Sequence, residues 1–98
     1  MIYKTFSLAG RKWVTEMMEN PVDDDGDECV GYCDPCAAKI VLQTGLPESF
    51  IIPKFWHEVY HAIDFTRGIA HADQDEQAAE AFGQLMYQLW IVTGKPCL

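Results

Sequence analysis

Phe55-Trp56-His57-Glu58-Val59-Tyr60-His61-Ala62-Ile63-Asp64 is the stretch on which the reading of the fold turns. Phe55, Val59, Ala62, Ile63 and Phe65 recur at helical spacing, which predicts a helix from near Pro53, a residue favoured at the first helical position. Arg67-Gly68 marks its end, since glycine readily takes the left-handed cap. On such a helix His57 and His61 lie one turn apart on one face, so both imidazoles can reach a single metal ion. Glu58 follows the first histidine and is placed to act as base for a metal-bound water, the logic of the H-E-x-x-H spacing.

The chain before this helix reads as strands. Tyr3–Leu8 and Lys12–Met18 are rich in β-formers and are separated by Ala9-Gly10-Arg11, a hairpin signal. Asn20-Pro21 and the acidic run form a loop. Val30–Cys33 and Lys39–Gln43 read as a second pair, turning through Asp34-Pro35. Ile40 and Leu42 alternate with Lys39, Val41 and Gln43, which predicts a sheet with one buried face. After a linker over Ile69–Ala72, a second helix is expected from about Asp73 to Thr93, closed by Gly94-Lys95-Pro96. Its apolar stripe is Ala78, Ala79, Phe82, Leu85, Met86, Leu89 and Trp90. Strands followed by helices imply an α+β fold: a small, mainly antiparallel sheet of three or four strands with two C-terminal helices on one face.

Ninety-eight residues suit a single domain spanning 1–98, and 49% hydrophobic residues with three tryptophans suit a packed core. A formal charge of −8 argues against nucleic acid or an anionic membrane as partner. The run Asp23-Asp24-Asp25-Gly26-Asp27-Glu28 reads as a solvated loop; counted from Asp23, its sixth position is Glu28 rather than the glycine of a calcium loop. Without an apolar span or a signal-like N-terminus the chain is expected in the cytoplasm, with Cys29, Cys33, Cys36 and Cys97 as thiols. Cys33-Asp34-Pro35-Cys36 has the spacing of a zinc knuckle or redox pair, but Lys39–Gln43 behind it reads as a strand, not as the helix a redox motif opens.

A catalytic zinc usually takes three protein ligands and leaves a position for water. Asp64 lies one turn beyond His61 and does not converge on the same ion from a straight helix. The remaining candidates are His71 in the linker and Glu76 or Glu80 on the second helix. Asp73-Gln74-Asp75-Glu76 also reads as a capping box, in which Glu76 serves the helix start.

Around these residues the chain resembles the gluzincin metallopeptidases, which pair H-E-x-x-H with a glutamate from the next helix. Glu76-Gln77-Ala78-Ala79-Glu80-Ala81-Phe82-Gly83 is similar to the ImmA/IrrE-type pattern E-x-x-A-N-x-F-A at Glu76, Ala79 and Phe82. Glu80 stands in place of asparagine, where thermolysin-like enzymes carry an aspartate, and Gly83 in place of alanine. The likeness covers roughly the second half of the chain. It implies a minimal zincin with one catalytic Zn2+ on His57, His61 and Glu76, and Glu80 accepting the N–H of a ligating histidine. His71 stays the alternative third ligand.

The expected activity is zinc-dependent hydrolysis of a peptide or protein substrate, with Glu58 as catalytic base and His71 or Tyr87 as donor to the developing oxyanion. Tyr60 is expected to point away from the ion. Likeness to ImmA-type proteins implies a phage or mobile-element protease that cuts a repressor, with a regulatory protein as a further partner. The alternatives are a catalytically silent zincin-fold binding module and a domain whose metal is only structural.

Overall fold

In the computed structural model, which describes residues 2–67 and 76–92, Ala9 and Gly10 close the first hairpin. Both take positive φ, 50° and 82°, the backbone that matches the twist of a two-residue hairpin. Arg11, expected in the turn, is instead the first residue of the second strand. That strand, β2 (Arg11–Met18), pairs antiparallel with β1 (Thr5–Leu8), with Leu8 opposite Arg11.

The acidic run is a built loop. Asp25 N–H and Asp27 N–H both donate to Asp23 Oδ1 at 3.0 Å, and Gly26 N–H donates to the Asp23 carbonyl. It leads into β3 (Gly31–Asp34), which pairs antiparallel with β4 (Lys39–Gln43). Strand β4 also pairs with β2, in parallel, so the sheet order is β1-β2-β4-β3. The sheet is mixed, and antiparallel pairing dominates as expected. One expectation fails: Val41, assigned to the open face, is fully buried. As an interior strand, β4 holds Val41 between its register partners Glu16 and Tyr32, whose side chains flank it on the same face of the sheet.

The first helix, α1, runs Glu48–Thr66 and starts five residues before the expected Pro53. Phe50 N–H and Ile51 N–H both donate to the Pro47 carbonyl, which seats the first turn. Pro53 lies within the helix, where it removes one ladder hydrogen bond. A typical hydrogen bond contributes about 1 kcal/mol net. The early start buries Ile51 and Ile52 to 5% and 2% exposure, and each such side chain contributes about 1.5–3 kcal/mol. Burial therefore outweighs the lost bond. Ile51, Ile52, Phe55, Val59 and Ala62 form the core with Trp13, Ile40 and Leu42.

Helix α1 rests on β3 and β4, and α2 (Glu76–Val92) lies along α1. The expected start at Asp73, the end at Thr93, the Gly68 cap, the linker with His71, and Cys97 lie outside the described residues. Neither described helix is long and apolar enough to cross a membrane.

The two helices meet closely at Gly83. A Cβ built there would stand 2.3 Å from the carbonyl oxygen of Pro53 and 3.3 Å from the backbone nitrogen of His57. The Pro53 carbonyl is the one the helical ladder pairs with His57 N–H. The helices thus approach closely at the turn that carries His57.

Candidate metal centre

His57 and His61 project from the same face of α1, as their spacing predicts, with ring centroids 5.0 Å apart. Glu76 and Glu80 come down from α2, four residues apart and on one face. Glu76 spans both histidines: its Oε2 is 2.9 Å from His57 Nε2 and its Oε1 is 2.8 Å from His61 Nε2. Glu80 Oε2 lies 3.0 Å from His57 Nδ1. The residues singled out as ligands are brought together. One donor atom from each of His57, His61 and Glu76 lies within 4.8 Å of the other two.

The hydrogen-bond inventory explains why this cluster suits a cation. A neutral imidazole carries one N–H, yet both nitrogens of His57 face carboxylates. In the tautomer that donates Nδ1–H to Glu80, Nε2 keeps its lone pair on the Glu76 side; a ring carrying Nε2–H donates it to Glu76 instead, at 2.9 Å. His61 Nε2 is buried and has no hydrogen-bond partner; its approach to Glu76 Oε1 is close but out of hydrogen-bond alignment. Two ring nitrogens and a carboxylate thus lie close enough to share one ion, and the donor set matches the nitrogen and oxygen preference of zinc. Glu80 is the partner that orients the first histidine.

Glu58 is 4% exposed and is held by Lys54, whose Nζ is 3.0 Å from its Oε2. Lys54 sits one turn earlier on α1, an i, i+4 pairing that was visible in the sequence and was not singled out there. Beside these groups runs a cleft of about 610 Å3. The loop contributes Asp23 and Asp25 to its wall, β3 contributes Tyr32 and Cys33, and α1 contributes Asp64 and Phe65. Asp23 and Asp25, read as part of a solvated loop, thus also line the cleft. Tyr60 packs on Phe82, with ring centroids 5.7 Å apart, and lies off the cleft wall as expected. Tyr87 stacks on Trp90 at 6.0 Å; it is not among the residues that line the cleft.

Cys29, Cys33 and Cys36 are free thiols, and among the described residues no cysteine joins a group able to hold an ion. Burial, with the negative charges of Glu58 and Asp34, pushes the Cys33 thiol up to about 12. Cys29 is also raised, by burial and then by Asp23. Because the thiolate is the nucleophile, Cys33 is expected to stay protonated and slow at neutral pH. Iodoacetamide should alkylate exposed Cys36 at least roughly 10-fold faster than Cys33. Peptide mapping by mass spectrometry reads the two rates, and equal rates would contradict the partly buried placement of Cys33.

Comparison with protein-family models, with curated proteins and with solved structures gives no match for this chain. The reading of the site therefore rests on its own residues.

Proposed function

We propose that this protein is a zinc-dependent hydrolase of peptide bonds. The observation that supports the reading is the convergence of His57, His61 and Glu76 from two helices, with the buried carboxylate of Glu58 on the adjoining cleft wall. His57 and His61 would hold the ion through Nε2, and Glu76 through its carboxylate. When bound, zinc supplies a lowered pKa for a coordinated water and polarises a substrate carbonyl.

The remaining roles belong to the protein's own side chains. Glu80 fixes the His57 ring by accepting its Nδ1–H, which leaves Nε2 free to coordinate. Lys54 holds Glu58 through Oε2, leaving Oε1 to take a proton from the attacking water and return it to the leaving amine. Strand β3 is an edge strand and contributes Gly31, Tyr32 and Cys33 to the cleft wall. An extended peptide can add to that edge through main-chain hydrogen bonds. Within this reading the protein works in the cytosol, a compartment that suits its free thiols.

The test joins metal content with cleavage. Purified protein is expected to carry about one equivalent of zinc and to cut an unstructured peptide library, with a chelator abolishing the cleavage. His57→Ala and Glu76→Ala should each weaken zinc binding by at least on the order of 100-fold, the upper end of what losing an outer partner costs. If Glu76→Ala leaves stoichiometry and affinity unchanged, Glu76 is not a ligand and His71 takes its place. If zinc-loaded protein cuts nothing in the library, the hydrolase reading fails.

A further inference from the structure

The walls of the cleft carry more negative charge than a metal centre uses. Lys54 is paired with Glu58, and Glu76 faces the two histidines. Asp23, Asp25 and Asp64 also line the cleft, and they form no ion pair among the described residues. They come from two separate segments, the loop after β2 and the C-terminal half of α1, so they meet only because the fold brings both to one opening. The same cleft borders the candidate metal site: His61 lines it, its side chain is 9% exposed, and its buried Nε2 has no hydrogen-bond partner.

We infer that the cleft takes peptide segments carrying lysine or arginine next to the bond presented to the metal centre. This rests on the hydrolase reading of the same site. Carboxylates at a concave, partly desolvated opening focus their field and raise the local concentration of cationic ligands. A divalent ion bound to His57, His61 and Glu76 leaves Asp23, Asp25 and Asp64 uncompensated, so the preference persists in the loaded protein. Phe65 lines the same cleft beside Asp64 and is 47% exposed. Its ring offers a face to a guanidinium or to the aliphatic stem of a lysine. An acidic segment would meet three unpaired carboxylates and be repelled.

The experiment measures binding separately from cutting. Zinc-loaded Glu58→Gln protein is titrated into two fluorescein-labelled peptides that differ only in having Lys-Arg or Glu-Glu at the centre, and anisotropy is read. The basic peptide is expected to bind about 10-fold tighter. The preference should fade toward 1 M salt, where the screening length is about 3 Å. It should vanish in Asp23→Asn/Asp25→Asn/Asp64→Asn protein; asparagine at 23 keeps the oxygen that orders the loop. Glu16→Gln/Glu19→Gln/Glu48→Gln protein, which removes as many charges away from the cleft, should keep it. Equal binding of the two peptides overturns the inference, and so does an equal loss in the two triple variants, because the effect would then come from net charge. Wild-type protein separates the two claims. If it cuts neither peptide while the Glu58→Gln protein still prefers the basic one, the hydrolase reading fails and the preference stands. If it cuts both with equal kcat/KM, the preference fails and the hydrolase reading stands.

Discussion

Glu58→Gln is expected to leave zinc bound and to lower kcat by about 10²- to 10⁴-fold, the range carried by a positioned general base. Glutamine has the size and shape of glutamate but no basic carboxylate oxygen. Glu58 is not among the three groups that converge on the candidate ion site, so metal content should not change. The fold should also tolerate the change. Lys54, left without a charged partner, is on the cleft wall and partly exposed, so its ammonium can turn to water rather than remain stranded. Paired measurements decide the matter: zinc per chain by mass spectrometry and kcat on one cleaved peptide. Equal turnover in wild type and variant would remove Glu58 from the mechanism while leaving the metal site intact. Loss of zinc together with turnover would mean that Glu58 supports the ion instead.

Gly83→Ala should destabilise the fold by about 3 kcal/mol, the upper end of ordinary overpacking. Helix propensity alone predicts the opposite sign, a gain of about 1 kcal/mol for alanine over glycine inside a helix. The contact decides between them. The new methyl would sit 2.3 Å from the Pro53 carbonyl oxygen, a backbone atom that cannot rotate aside as a side-chain tip can. Relief requires α2 to move away from α1. Glu80 and Glu76 lie one and two turns before Gly83 on α2, so the same movement draws both carboxylates away from His57. Thermal unfolding should show Tm falling by about 4–8 °C for each kcal/mol in a domain of this size, and zinc titration should show weaker binding. A Tm at or above the wild-type value would mean that the helices do not approach this closely.

Much of the architecture was legible because it rests on local periodicity. The hairpin at Ala9-Gly10, the β3–β4 pair and both helices follow from turn residues and apolar spacing. His57 and His61 share a face for the same reason: four residues make about one helical turn. Glu76 and Glu80 stand one turn apart on the second helix, which makes them candidates, and the likeness to the gluzincin pattern implies their separate roles. The start of α1 was misread because Pro53 is locally a first-turn residue. The competing effect, burial of Ile51 and Ile52 against the sheet, is not local. Val41 was misassigned for a related reason, since alternation along one strand says nothing of the strands on either side.

By itself, then, the sequence determined which side chains are candidates for a metal site and which of them share a helix face. It did so because helical and strand periods are properties of a short run of backbone. Tertiary structure alone decided how the two helices meet. Gly83 against the Pro53 carbonyl sets their separation, and that separation brings Glu76 to both histidines and Glu80 to the far side of His57. Folding also brought Asp23 and Asp25, from a loop read as solvated, to line the same cleft as Asp64. Contacts of this kind join residues distant in sequence, and packing settles them, not the spacing along the chain.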